Sequence, residues 1–415
     1  MKALVFSLAN ELHSRVYYSK LYDSFKRFFR SIEGFEIIDE PQYKVPKIPR
    51  NKYDLAFIVI LTGGTSRLAE QAAKMLNTPV VLIAHNKHNS LASALSARER
   101  IKKLGIKVLL VLANDEHTLA TKLTPIVKGI STAISLSRIR VLEINSEGLL
   151  SSRARFFMEV TGTKVDAVSY KEVLERAMNA PDKELREISD FVALHIDTSG
   201  VDREYLDKAL RIYYALRSLA LEKGYNAVSI DCFPFLVEYG ITPCLAVAML
   251  NNDGIPAACE DDFYSLIMLF ISLNFTGKPG WIANPSGVTD EGYLRFAHCT
   301  IAPSLGKNCY LVSHFETGKP YAVTCRLSGE RYVFGRITTD YTGLVLYRGR
   351  KVDSGLLEPG YCRTQLILDT GSLNADEFIE KAVGNHHVFM EWTSDIMEAF
   401  KALAWWMNWY LEIRN

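Results

Sequence analysis

The stretch ACEDD sets Glu260, Asp261 and Asp262 side by side between two apolar runs, GIPAAC and FYSLIMLFISL. A fourth acid, Glu238, lies upstream in LVEYG. His298, His314 and the pair His386–His387 follow in RFAHCT, VSHFE and VGNHHVF. Adjacent carboxylates between buried segments repel one another, and a cation held among them removes that cost. Oxygen ligands joined by an imidazole suit Mn²⁺ or Mg²⁺ better than a structural zinc. The bland alternative is helix capping, for which one acid suffices at the helix beginning with Phe263. A lone strand histidine is ordinarily a satisfied side chain. If His386 and His387 lie on a strand they face opposite ways, so at most one serves a given site.

Such residues need elements that end at one place. In open α/β sheets, ligands gather beyond the carboxyl ends of the strands. The run Asn226–Ile230 ends at Asp231 and leads on to Glu238. The run Ile255–Cys259, shortened or bulged by Pro256, leads into the three acids. The segment Phe263–Leu273 is apolar nearly all round, which predicts a helix buried on every side. Earlier in the chain LAFIVIL, PVVLIAH and KVLLVLA alternate with helical patterns, as in a parallel sheet with helices on its faces. From Tyr293 onward, short runs are separated by turns rich in Gly, Pro and Ser, the pattern of an antiparallel barrel or sandwich. An apolar, aromatic helix is expected over Asp395–Ile413. The expected fold class is therefore α/β. It comprises two Rossmann-like parallel-sheet domains, 1–136 and 137–292, then a β-rich, antiparallel barrel-like domain over 293–415.

Composition narrows the function classes. The 415 residues carry 48 basic and 47 acidic side chains, a net charge of +1, which offers nucleic acid no basic field. No apolar run approaches the roughly 20 residues that span a bilayer. The opening MKALVFSLANELHSR has no signal-peptide cleavage pattern, and a cytoplasmic location is expected. The seven cysteines include no CxxC pair and are expected to be reduced and mostly buried.

The stretch from Glu238 to Leu273, together with GIPAACEDD, FAHCTIAPS, YCRTQ and GNHHV, resembles the L-fucose isomerase and L-arabinose isomerase superfamily. It is most like the L-fucose isomerase-like branch. The resemblance covers the last two thirds of the chain and extends to the first domain only in its general pattern. It implies an aldose–ketose isomerase that uses Mn²⁺, or another divalent ion such as Mg²⁺ or Co²⁺. The family's metal-binding carboxylates map onto Glu238 and Asp262, which would also carry protons, and its metal-binding histidine maps onto His386. His298 resembles a second metal histidine of the arabinose isomerase branch. Glu260 and Asp261 then become supporting or capping residues. Trp281 and Asn284 in WIANPS, with Arg363 in YCRTQ, are candidate sugar contacts. A homo-oligomer, trimer or hexamer, is implied, in which Arg67, His85 and His88 of a first domain approach a neighbour's site.

The implied chemistry is proton transfer between adjacent carbons through an ene-diol, with the metal ion polarising the carbonyl and carboxylates moving the proton. The partner would be a fucose- or arabinose-like sugar. Two other readings use the same sequence. One is a sugar-binding or regulatory protein that keeps the fold without turnover. The other is a phosphosugar enzyme that holds phosphate at TGGTSR (62–67), a strand-to-helix turn that is neither a P-loop nor GxGxxG.

Overall fold

Short β-branched runs with no polar face bury both sides of a strand, and helices must cover them. The computed structural model, which describes residues 1–49 and 51–414, divides into two compact units, Met1–Val127 and Lys128–Asn415. In the first unit β1 (Ala3–Leu8), β2 (Phe35–Ile37), β3 (Leu55–Ile60), β4 (Val80–Ala84) and β5 (Val108–Leu112) pair in parallel, in the order β2-β1-β3-β4-β5. Helices α1 (Ser19–Arg30), α2 (Ser66–Leu76) and α3 (Ser90–Lys103) lie between the strands, and α4 (Glu116–Leu136) follows β5. The TGGTSR turn between β3 and α2 is tightly packed. The Thr65 hydroxyl donates to Thr62 O at 2.9 Å, and a Cβ on Gly63 would stand 2.8 Å from that of Asn89.

The second unit opens with another parallel sheet, of β6 (Arg140–Asn145), β7 (Lys164–Ser169), β8 (Ala227–Ile230) and β9 (Ala257–Cys259), in the order β7-β6-β8-β9. Between its strands run α5 (Ser152–Thr161), α6 (Tyr170–Met178), α7 (Asp182–Ala193), α8 (Arg203–Lys223), α9 (Cys232–Tyr239) and α10 (Cys244–Asn252). Strand β9 has three residues and starts just after Pro256, in keeping with a residue that cannot donate to a ladder. Next comes α11 (Phe263–Thr276). It packs against β8 and β9 on one side and against three strands of the C-terminal sheet, described below, on the other, so its apolar circumference is buried as expected. Each buried Leu, Ile or Phe along it contributes roughly 1.5–3 kcal/mol.

The C-terminal sheet closes on itself. Strands β10 (Trp281–Val288), β11 (Leu294–His298), β14 (Arg331–Ile337), β15 (Gly343–Gly355), β16 (Thr364–Asp369) and β17 (His387–Glu391) form a six-stranded antiparallel barrel, in the circular order β14-β17-β10-β11-β16-β15. It is β14, β17 and, to a lesser extent, β10 that meet α11. Strands β12 (Gly306–Val312) and β13 (Ala322–Leu327) make a separate ribbon, and α12 (Ala375–Lys381) precedes β17. Phe296, Phe334 and Phe389 interlock inside the barrel with ring centroids 4.7–5.2 Å apart. Closure depends on Gly335, because a Cβ there would lie 2.1 Å from the Val345 carbonyl oxygen.

Three expectations are corrected. The β-rich pattern begins at Trp281, ahead of Tyr293. The closing segment is not one helix: α13 (Ile396–Met407) stops at Asn408, which is left-handed at φ 58°, and β18 (Tyr410–Arg414) then pairs in parallel with β15. The cysteines are not all reduced, since Cys309 and Cys325 on the β12–β13 ribbon form a disulfide. Among the described residues no helix is long and apolar enough to cross a membrane.

Candidate metal centre

The carboxyl ends of β8 and β9 meet the barrel at the first turn of α11. Asp262 is the N-cap of that helix: its Oδ1 accepts from the backbone N–H groups of Tyr264 (3.0 Å) and Ser265 (3.1 Å). Its Oδ2 accepts from Ser265 Oγ at 2.7 Å and from His386 Nδ1 at 2.8 Å. Arg336 Nη1 of β14 lies 3.8 Å from the same oxygen, and its guanidinium stands over the Tyr264 ring. Burial opposes the charge on Asp262. The His386 bond, the Arg336 charge and the Ser265 hydroxyl outweigh it and hold the carboxyl at about 2.

Glu260 and Asp261 both adopt left-handed backbone, at φ 59° and 51°. Two successive non-glycine residues there cost on the order of 1–3 kcal/mol each. The strain turns their side chains apart. Asp261 points back into the sheet, where Ser151 Oγ (3.0 Å) and Ser229 Oγ (3.1 Å) donate to it. Burial, with the charge of Glu143 beside it, raises the Asp261 carboxyl to about 7. Glu260 turns towards the histidines. Its Oε1 lies 3.6 Å from His386 Nε2, too long for a hydrogen bond, so the attraction is between charges.

Glu260, His298 and His386 present one ligand atom each, all within 4.8 Å of one another, and this group could hold a metal ion. Strand pairing assembles it. His298 ends β11 and His386 precedes β17, and both strands flank β10. The two rings meet edge to face at 5.4 Å. Both histidines are about 2% exposed or less. Neither ring nitrogen of His298, nor His386 Nε2, has a hydrogen-bond partner among the described residues. Buried polar atoms are almost always partnered, so three orphaned nitrogens beside one carboxylate call for an occupant. Burial, then the charge of His386, lowers His298 to about 3 and leaves it neutral with a lone pair free. For His386 burial again opposes charge, but the bond to Asp262 and the nearness of Glu260 prevail and raise it to about 9. A cavity of about 200 Å³ opens beside the group, lined by Glu260, Asp262 and His386 with Arg153 and Arg336.

The other sequence candidates are placed as follows. Glu238 is exposed on α9 and is not part of the group. His387 faces away from His386, into the barrel against Phe378 and Tyr347, and burial lowers it to about 4. Trp281 is buried, donating its indole N–H to Thr300 O at 3.0 Å. Asn284 follows it on β10 with a buried Oδ1 that has no hydrogen-bond partner among the described residues. Arg363 binds the Ser313 carbonyl at 2.6 Å and lies over Phe315. In the first unit, His85 and His88 border a cavity of about 520 Å³, and Arg67 is exposed on α2. Sequence reasoning passed over Arg336, Arg153 and Glu143. Glu143 did carry a signal, as a lone charge inside the apolar strand VLEIN. It is fully buried, and its carboxylate accepts from the Ser151 N–H at 3.1 Å.

No family model matches the chain. A sulfoquinovose isomerase of Clostridium sp. (strain MSTE9) is 24% identical over 350 residues, covering 79% of this chain and 77% of that protein. Another sulfoquinovose isomerase, from Alkalicoccus urumqiensis, is 24% identical over 163 residues, or 39% of this chain and 35% of that one. The chain is thus a distant relative of proteins that are sugar isomerases.

Proposed function

We propose that this protein is a divalent-metal-dependent aldose–ketose isomerase. The observation that carries the reading is the meeting of Glu260 with two buried histidines, His298 and His386, that keep ring nitrogens without a hydrogen-bond partner among the described residues. Two imidazoles and one carboxylate favour Mn²⁺ or Co²⁺ over Mg²⁺, which prefers oxygen throughout. When bound, such an ion supplies Lewis-acid polarisation of the sugar carbonyl. Glu260, His298 and His386 would hold it. Asp262 accepts the Nδ1 proton of His386, fixing the ring with Nε2 as the donor to the ion.

Both oxygens of Asp262 are taken up by the helix cap, Ser265 and His386, so it suits orientation better than proton removal. Glu238, assigned by the L-fucose isomerase-like motifs, is then the proposed proton carrier. Those motifs and the likeness to sulfoquinovose isomerases support the same reaction class. Sulfoquinovose is the first sugar to test, with L-fucose and L-arabinose beside it, and a trimer or hexamer belongs to the same proposal.

The test is to titrate Mn²⁺ into the metal-free full chain, then incubate the loaded protein with each aldose and assay for ketose. One ion bound per chain and conversion of at least one sugar are expected. A protein that binds no Mn²⁺ and shows no thermal shift would be non-catalytic in this sense, and the proposal would fall.

A further inference from the structure

We propose a second metal site, for a thiophilic divalent ion of the zinc class, at Cys244, Cys299 and His314. All three residues are buried, and one ligand atom from each lies within 4.8 Å of the others. The two sulfurs are 3.5 Å apart. Two thiolates bound at about 2.3 Å to one tetrahedral ion stand roughly 3.8 Å apart, so the pair is close to its liganded spacing.

Each donor sits on anchored backbone. The Cys244 N–H donates to Thr242 Oγ1 at 3.0 Å, and the Cys244 carbonyl accepts from Thr300 Oγ1 at 2.8 Å. The Cys299 carbonyl accepts from the Val323 N–H at 3.1 Å. His314 is held in its turn by a 2.7 Å bond from its N–H to Lys319 O, and Thr317 Oγ1 lies 3.2 Å from its Nδ1. With Nδ1–H donating to that hydroxyl, Nε2 would be the nitrogen free for a metal, the arrangement by which a second partner orients a ligating histidine.

Two buried thiols alone would be small hydrophobes, and Ala322 and Val312 do pack around them. An oriented imidazole beside them is what that reading leaves unexplained. Three protein ligands leave a fourth tetrahedral position open. Binding M²⁺ forms two metal–sulfur bonds and releases one proton from each thiol. Cys299 directly follows His298, the last residue of β11, so adjacent residues of one segment belong to the two donor groups. Softness separates the two sites: sulfur here, nitrogen and oxygen there.

Cobalt tests this in the intact chain, handled anaerobically. Adding Co²⁺ to the metal-free protein should produce thiolate-to-cobalt charge-transfer absorption, which Glu260 and two histidines cannot generate. The band should be lost in Cys244→Ser and in Cys299→Ser and kept in Cys362→Ser. Absence of the band at saturating Co²⁺, or its survival in Cys244→Ser, overturns the proposal. Should the serine variants not fold, X-ray absorption of the wild type with one equivalent of Zn²⁺ decides. A sulfur shell at about 2.3 Å supports the site, and a shell of nitrogen and oxygen alone at about 2.0–2.2 Å overturns it. Manganese bound at Glu260 gives no such signal, so this site and the proposed isomerase centre fail separately.

Discussion

Asp262 Oδ2 meets His386 Nδ1 at 2.8 Å while Oδ1 of the same carboxylate caps α11. One side chain thereby ties the helix that follows the parallel sheet to the histidine that precedes a barrel strand. Because an ionised carboxylate only accepts, Nδ1 must donate, and Nε2 is the nitrogen left for an ion.

Asp262→Asn should break that logic without removing the cap, since asparagine caps as well as aspartate. With its oxygen on the helix, the amide N–H₂ would face Nδ1 and drive the ring proton to Nε2. Mn²⁺ affinity, measured by titration calorimetry, should fall about 10–100-fold. Unchanged affinity would show that His386 needs no such orientation.

His298→Leu separates a ligand from a structural histidine by the sign of its effect. A buried ring with both nitrogens unpartnered costs stability, so its removal should leave the metal-free protein as stable or more stable. The thermal shift caused by Mn²⁺ should disappear in the same variant. Thermal unfolding with and without Mn²⁺ reads both. A destabilised variant that still responds to Mn²⁺ would remove His298 from the ligand set.

The frame of this site was legible because it rests on periodicity. LAFIVIL became β3 and the all-apolar run after ACEDD became buried α11, as unbroken apolar runs dictate. Which of the three acids face the histidines was not legible. Asp262 and Glu260 both do, and the part taken by Glu260 depends on left-handed backbone at Glu260 and Asp261 that no spacing encodes. His298 and His386 could be paired only through their strands' common neighbour, β10. An aromatic apolar tail reads alike as helix or strand, so the turn at Asn408 hid β18. Pairing of Cys309 with Cys325 lies likewise beyond sequence arithmetic.

His85 should make the first unit sensitive to acid. Burial lowers its pKa below the usual 6.5, although Nε2 lies 2.8 Å from the Leu61 carbonyl oxygen. A depressed histidine contributes full stability above its unfolded pKa, and that contribution is lost as pH falls below about 6.5. Hydrogen exchange of β3 and β4 amides should therefore show openings easing from pH 7 to pH 5. His85→Gln, which can still donate to Leu61 O, should flatten the trend. An equally steep trend in the variant would place the effect elsewhere.

Glu238→Gln tests the one residue whose assignment rests on resemblance alone. Glu238 is exposed near the end of α9, and its effect on the adjacent Tyr239, whose pKa it raises through a hydrogen bond, is local. If Glu260 completes the ligand set, Mn²⁺ affinity in Glu238→Gln should match the wild type, while Glu260→Gln should lose more affinity than Asp262→Asn. If Glu238 carries the proton, turnover should fall about 10²–10⁴-fold at saturating metal, the usual worth of a positioned general base. Calorimetry and initial rates on the same preparations separate the two roles. A Glu238→Gln variant that loses Mn²⁺ would return Glu238 to the ligand set and displace Glu260. One that keeps both metal and full activity would end its role in the reaction.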